Sequence, residues 1–278
     1  MDYRIVADSS CEVPEGMEEK MNIDLVPFNI AVDGVDFRDD KDLVVMDLIQ
    51  AMRNSPNPVK TSCPSPGDFL EHYRKADNIF VVTISANLSG TYNSAELARE
   101  MMKEEDPDKF VHVFNAKSAS VGETLTAMKI YELIEKGLSN SEIVEKVEKY
   151  ISETNTFFIL ESLDNLVKNG RISKTKGLVA SVLNVKPIMG EDGEGNIELK
   201  ENVRGSKKAF NRLVEIIGEG KENFEDKILA ISHANALEKA MEFKEKIEAL
   251  YNFKEVIVLE TRGLSTAYAY DGGVIVAY

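Results

Sequence analysis

The sequence has few of the residues on which several common classes of protein depend. It contains only two cysteines, Cys11 and Cys63, too few for a disulfide framework or for a zinc site built from thiolates. No run of about 18 apolar residues is present, so no segment is expected to span a membrane. No basic and then apolar leader precedes the first strand-like residues, which indicates a cytoplasmic protein without a secretion signal.

Positive charge is also scarce, because 48 acidic residues oppose 33 basic ones and leave a formal net charge of −15. This excess argues against a nucleic-acid partner and against broad docking on anionic lipid. With 278 residues, of which 43% are hydrophobic, the chain is long and apolar enough to form two folded domains.

Familiar catalytic motifs are missing: there is no Gly-x-Ser-x-Gly elbow, no phosphate-binding loop and no His-Glu-x-x-His zinc motif. Of the three histidines, His72 lies on an amphipathic helix pattern and is expected at the surface. His112 lies within a strand pattern, where a packed or hydrogen-bonded role is expected. His233 follows a strand, at the end where α/β sheets carry functional groups, so a structural and a functional role stay equally open.

The first half alternates short apolar runs with amphipathic stretches, which predicts a parallel sheet flanked by helices. Strands are predicted at 5–7, 79–84 and 110–114, and helices at 44–53, 91–105, 125–136 and 142–150. Asp33-Gly34 between apolar runs predicts a hairpin over 26–37.

The pattern changes near residue 156, where a mixed α+β domain is predicted to begin. The prediction has strands at 157–160, 185–189, 197–201, 228–232, 256–259 and 274–277, and helices at 163–168, 208–217 and 237–250. We therefore expect an α/β domain over 1–155 and a mixed α+β domain over 156–278.

Three loops are rich in serine and threonine: 8–10, 61–66 and 85–91. The second and third open predicted helices, whose free N–H groups and hydroxyls together suit an anion. None of the three loops contains Lys or Arg, so a singly charged carboxylate fits better than a polyphosphate. Ordinary helix capping explains the same hydroxyls equally well.

A second stretch, 165–190, carries only positive charge, at Lys168, Arg171, Lys174, Lys176 and Lys186. The same charge continues at Arg204, Lys207 and Lys208. A solvated basic face explains this pattern, and so does a docking surface for an acidic or phosphate-bearing partner.

Taken together, these segments resemble the DegV family of bacterial fatty-acid-binding proteins. The matching segments follow the family's order and are residues 7–14, 61–66, 89–95, 166–172, 184–188 and 203–209. The resemblance implies a two-domain α/β fold that holds one long-chain fatty acid in a tunnel, largely between the domains. It also implies a binding protein rather than an enzyme. In members that serve a fatty acid kinase, the bound acid is presented to a separate kinase subunit and becomes acyl phosphate.

Carried over residue by residue, Thr61 and Ser89 would hydrogen-bond the carboxylate, with Ser62 and the Gly90 amide as neighbours. Arg171 and Arg204 would match family arginines linked to phosphotransfer or kinase docking. The implied ligand is palmitate, stearate or oleate, with no cofactor and no metal.

The chain departs from the family near its end, where a His-x-Gly-Pro-Gly turn is usual. Here residues 267–273 read Ala-Tyr-Ala-Tyr-Asp-Gly-Gly, which places Tyr268 at the histidine position. A phenol still donates a hydrogen bond but does not titrate near neutrality. Fatty acid binding is therefore expected to survive this change more readily than acyl phosphate transfer.

Apolar residues of the second domain are candidates for the tunnel wall and equally for plain core: Phe157, Leu160, Leu163, Ile172 and Leu178. The alternative function is a serine-dependent hydrolase or phosphotransferase, with Ser89 or Ser10 as nucleophile and His233 as base. A third hypothesis is that the chain is a docking protein that acts through its basic stretch.

Overall fold

A computed structural model describes residues 2–172, 184–220 and 223–278 of the chain. Its strands are β1 (Tyr3–Asp8), β2 (Ile23–Val26), β3 (Asn29–Val32), β4 (Val35–Arg38), β5 (Lys60–Ser62), β6 (Asn78–Thr83), β7 (Phe110–Asn115), β8 (Thr156–Ile159), β9 (Val185–Glu191), β10 (Ile197–Arg204), β11 (Ile228–His233), β12 (Glu255–Glu260) and β13 (Val274–Ala277). Its helices are α1 (Met17–Met21), α2 (Val45–Asn54), α3 (Pro66–Tyr73), α4 (Thr91–Glu105), α5 (Val121–Glu135), α6 (Asn140–Glu153), α7 (Asp164–Lys168), α8 (Ser206–Glu219), α9 (Leu237–Leu250) and α10 (Gly263–Ala269).

The first sheet has four parallel strands in the order β2-β1-β6-β7. Its central strand β6 is buried on both faces, as its unbroken apolar run predicts. Helices α5 and α6 pack on one face of the sheet, and α3 and α4 pack on the other. The predicted α/β architecture is therefore confirmed.

After β2 ends at Val26, the chain enters a small antiparallel sheet with the strand order β4-β3-β5. The turn between β3 and β4 consists of Asp33 (φ 48°) and Gly34 (φ 83°), the two positive φ angles that a type I′ turn requires. The predicted hairpin is confirmed from Asn29 onward. Val26 lies instead at the end of β2, which pairs parallel with β1.

The second large sheet runs in the order β10-β9-β8-β13-β11-β12, and β11 and β12 pair in parallel within it. Helices α8 and α9 cover one face with a large apolar core. Helix α5 packs on the sheet through Val121 and Leu125, which contact Ala230 and Ala277. Because α5 also packs on the first sheet, it lies between the two. The predicted mixed α+β architecture, which adds a second mixed sheet to the parallel one, is also confirmed.

Candidate functional site

A largely apolar cavity lies where the three sheets meet. The space among its lining side chains, including its opening to solvent, is about 640 Å³. The apolar wall consists of Phe28, Ile84, Leu88, Ala119, Phe158, Leu160, Leu166, Ile197, Leu264, Ala269 and Ile275. The polar part of the wall consists of Ser10, Thr61, Ser89, Ser120, Arg171, Ser265 and Tyr268.

Two hydroxyl pairs contribute to this polar wall, the first through both of its members and the second through Ser89 alone. Thr61 Oγ1 and Tyr268 Oη lie 2.9 Å apart and share a hydrogen bond, although the residues are 207 positions apart in the chain. Ser89 Oγ lies 2.8 Å from Thr91 Oγ1 at the start of α4. The two loops adjoin, because a methyl group placed on Gly90 would lie 3.6 Å from Cys63 Sγ. The structure thus brings Thr61, Ser89 and Tyr268 into one cavity.

Helix α10 carries Tyr268 to the cavity and is fixed at its N-terminus by a distant carboxylate. Gly263 and Leu264 donate their backbone N–H groups to the two Asp39 carboxylate oxygens, each at 2.8 Å. Ser9 Oγ donates to the same carboxylate at 2.8 Å. Asp39 therefore satisfies free donors of the first turn of α10, as a local N-cap residue does in other helices.

Arg171 reaches the cavity because of the way α7 ends. The Gly170 N–H donates to the Val167 carbonyl and the Arg171 N–H donates to the Leu166 carbonyl, with Gly170 at φ 73°. This is a Schellman motif, and it confirms Gly170 as the residue that ends the helix. The Arg171 guanidinium then donates through Nε to the Leu88 carbonyl at 3.1 Å, next to Ser89. A cation thus lies beside the loop that contains no Lys or Arg of its own.

Three of the predicted site residues lie elsewhere. Side chains alternate along a strand, so Ser62 of β5 faces away from Thr61 and is exposed outside the cavity wall. Gly90 is the N-cap residue of α4, beside Ser89 but not itself part of the wall. Arg204 is exposed at the end of β10.

The same alternation separates two neighbouring phenylalanines of β8, of which Phe157 is a candidate for the tunnel wall or for plain core. Phe158 lines the cavity, whereas Phe157 packs in the core under α8 and α9, which is the second of the two alternatives left open for it. Leu160 lines the cavity, which is the first of the two alternatives for it. Leu163 and Ile172 pack in the cluster that backs this wall, and Leu178 lies outside the described residues.

The structure does not pair the candidate nucleophiles with a histidine among the residues it describes. His233 Nδ1 accepts the Ala236 N–H at 3.3 Å, a structural contact at the start of α9, and burial lowers the pKa of the ring. His112 packs edge-on against Phe114, and His72 Nδ1 lies 2.8 Å from Asp24 rather than being a simple surface residue. The described residues also contain no group of three or more His, Cys, Asp or Glu arranged to hold a metal ion.

The basic stretch does not form one continuous face where the structure describes it. Lys168 Nζ lies 3.7 Å from Asp164, and Lys186 pairs with Glu161. Arg171 faces the cavity, and Lys174 and Lys176 lie outside the described residues.

These features define a mixed α/β protein that encloses an apolar cavity between its sheets, with hydroxyls and a guanidinium at the wall. The chain belongs to the DegV family: the family model described as "Uncharacterised protein, DegV family" matches residues 2–278. A DegV domain-containing protein of Streptococcus pyogenes serotype M1 is 36% identical over 280 residues, which cover 100% of this chain and 99% of that protein.

Solved structures agree with this assignment. A DegV family protein from Ruminococcus gnavus, refined with vaccenic acid, superposes with a TM-score of 0.96 at 42% identity and covers 99% of both chains. The Streptococcus pneumoniae Fatty Acid Kinase (Fak) B3 protein, loaded with linoleic acid, superposes with a TM-score of 0.90 at 33% identity. That match covers 100% of this chain and 99% of the other. In the described part of this chain, no helix is both long enough and apolar enough to cross a bilayer.

Proposed function

We propose that this protein binds one long-chain fatty acid, with the carboxylate at Thr61, Ser89 and Tyr268 and the tail along the apolar wall. The observation that carries the proposal is the cavity itself, which is apolar over most of its wall and has hydroxyl donors drawn from distant parts of the chain. The related structures with vaccenic and linoleic acid support this ligand class.

The hydroxyl pairs suit a carboxylate because each pair has a spare proton. When Thr61 and Tyr268 share one hydrogen bond, the other hydroxyl hydrogen of the pair is left to donate to a ligand. Ser89 offers the same when Thr91 donates to it, because the Ser89 hydroxyl hydrogen is then left for the ligand. The Gly90 amide at the start of α4 adds a backbone donor in our proposal. Ser62 is not included, since it faces away from the cavity.

The tail supplies most of the binding free energy in this proposal. A hydrogen bond to a charged group contributes about 1.5–3 kcal/mol, whereas each buried CH₂ contributes about 0.8 kcal/mol. A tail of about fifteen such groups gives about 12 kcal/mol before the costs of association. We therefore propose a long-chain acid such as palmitate, stearate or oleate, held tightly enough to survive purification.

We further propose that the protein presents its ligand to a separate kinase subunit and is not itself the catalyst. Arg204, Lys207 and Lys208 are exposed together around the start of α8, which supports a role in contacting a partner. Arg171 would act from inside the cavity, beside the carboxylate site. Tyr268 would hold the carboxylate in place of the histidine usual in the family.

The same proposal divides the chain into domains 1–155 and 156–278 and places it in the cytoplasm. The division is supported by the sheets, since the second large sheet begins with β8 at Thr156. The location is supported by the two cysteines, which form no disulfide with each other.

Extraction of the purified protein and mass spectrometry of the released lipids tests the ligand. We expect about one fatty acid per chain. After delipidation, a double variant with Thr61→Val and Tyr268→Phe should weaken binding of added oleate by about tenfold to a hundredfold, because it removes both hydroxyls of the pair and with them one charged hydrogen bond. Ser62→Ala, next to Thr61 but on the opposite face of β5, is the matched control and should bind as the unaltered protein does. An empty extract combined with no binding of added palmitate or oleate would refute the proposal.

A further inference from the structure

Four carboxyl groups are buried together behind the cavity wall. Asp8 lies at the end of β1, Glu12 in the loop after it, Asp39 after β4, and Glu123 in the first turn of α5. Their exposed fractions are between 0% and 2%. We call these four residues the acid cluster. The described carboxyl groups are not arranged to hold a metal ion, so a bound cation does not account for their burial.

Hydrogen bonds satisfy part of the acid cluster but leave several oxygens without a partner. Asp8 accepts the backbone N–H groups of Ile84 and Ser10, at 2.8 and 3.0 Å. Glu12 Oε2 accepts the Ser120 hydroxyl at 2.7 Å, whereas Glu12 Oε1 has no partner. Both carboxylate oxygens of Glu123 are buried without a hydrogen-bond partner.

Little positive charge faces this group. Arg262, which precedes α10, is the cation that interacts with Asp39. The Cys11 thiol also faces the acid cluster. An ionised carboxylate that is buried without a cation is costly, so the group binds a proton instead. Burial accordingly raises the pKa of Asp8 and that of Glu12, each to about 7. The pKa of Glu123 is raised well above its usual value, first by burial and then by the charge of Asp8.

The acid cluster is joined to the cavity wall by serine residues. Ser10 Oγ accepts the Ser120 N–H at 3.0 Å, and Ser10 and Ser120 both line the cavity. Ser120 also shares a 2.7 Å hydrogen bond with Ser232 of the second large sheet. A charge that appears in the cluster therefore acts on the hydrogen bonds that join the two large sheets at the cavity.

We propose that Asp8, Glu12, Asp39 and Glu123 act as one proton-holding network that makes the folded chain, with its cavity wall, more stable in mildly acidic than in alkaline solution. The direction follows from linkage. In the unfolded chain these groups lose their protons near pH 4, whereas the folded chain keeps them to higher pH. The folded state thus binds more protons between these limits, and its stability falls as the pH rises.

Urea unfolding of the delipidated full chain between about pH 5.5 and 8.5 tests the network without any ligand. The unfolding constant should rise about tenfold per pH unit for each proton that only the folded chain holds. In the Glu123→Gln variant the unfolding constant should rise less steeply with pH, by a factor up to about ten smaller for each pH unit. The matched control is Glu135→Gln, at the exposed end of the same helix, which should leave the pH dependence unchanged.

Infrared spectroscopy gives a second readout that does not depend on unfolding. The folded protein near neutral pH should show the band of a protonated carboxyl, and Glu123→Gln should reduce it. If Glu123→Gln does not fold, Glu12→Gln is expected to give the same two changes. A stability independent of pH in the unaltered protein, or equal pH dependence in both variants, would overturn the network. Because no lipid is present, neither result depends on whether the cavity binds a fatty acid.

Discussion

Tyr270 has a backbone conformation that side chains rarely adopt. It follows α10 with φ 57° and ψ 170°, in a region of the Ramachandran map that is populated almost only by glycine. Such a residue costs about 1–3 kcal/mol of stability. In the family's usual His-x-Gly-Pro-Gly turn a glycine stands at this position, so the strain coincides with the departure from the family pattern.

Two substitutions at this position separate the strain from the packing of the ring. The Tyr270 ring packs against the apolar cluster between α2 and the small sheet, and Tyr270→Ala and Tyr270→Gly remove it equally. Only glycine relieves the backbone, although its greater freedom in the unfolded chain returns about 0.5–1 kcal/mol. Tyr270→Gly should therefore be more stable than Tyr270→Ala by about 1 kcal/mol, within a range of about 0 to 2.5 kcal/mol.

The measurement is the urea midpoint of the delipidated variants, followed by circular dichroism and compared at equal slope. The control is the same pair of substitutions at Lys149, an exposed residue of α6, where Lys149→Gly should be less stable than Lys149→Ala by about 1 kcal/mol. The two sites should thus give opposite signs. If Tyr270→Gly is less stable than Tyr270→Ala, as at Lys149, the backbone at position 270 is not strained.

Two further predictions concern the cavity wall. Phe157→Ala should lower the free energy of unfolding by about 3–5 kcal/mol without changing the affinity for fatty acid, whereas Phe158→Ala should alter that affinity. Calorimetric titration with oleate measures the affinity of each variant. Equal affinities in the two variants would contradict the assignment of Phe157 to the core and Phe158 to the cavity. Ala119→Trp should fill the cavity and abolish lipid recovery in the mass-spectrometric extract while circular dichroism stays unchanged; a normal lipid content would show that the tail lies elsewhere.

Features that depend on neighbouring residues could be predicted from the sequence. The hairpin turn at Asp33-Gly34 is specified by two residues that tolerate positive φ. The capping box of α6 is specified by Ser139 and Glu142, whose spacing alone predicts the two reciprocal hydrogen bonds that the structure contains. Each of these signals lies within four residues of chain.

Helix α10 could not be predicted in this way, although it carries Tyr268 into the site. Its sequence is short and rich in residues that do not favour helix, and the carboxylate that caps it belongs to Asp39, 224 residues away from Gly263. The place of Arg171 is hidden for a similar reason. Its partner is the Leu88 carbonyl in another loop, 83 residues away.

The sequence also could not predict which face of a fully buried strand each residue occupies. Phe157 and Phe158 are each 8% exposed, so hydrophobicity does not distinguish the residue that packs in the core from the one that lines the cavity. At β5 the same difficulty applies to Thr61 and Ser62, which both carry a hydroxyl but lie on opposite faces of the strand. Which of the two faces lines the cavity depends on where the strand lies in the fold.

The long-range contacts at the cavity have a consequence for how the protein is made. Thr61 meets Tyr268, and Asp39 holds the start of α10, so the wall combines early and late parts of the chain. During synthesis the first sheet can form while the ribosome is still translating the second half. The cavity cannot close until residues 263–275 have emerged. A nascent or truncated chain that stops before α10 will therefore expose the apolar wall to water and to chaperones.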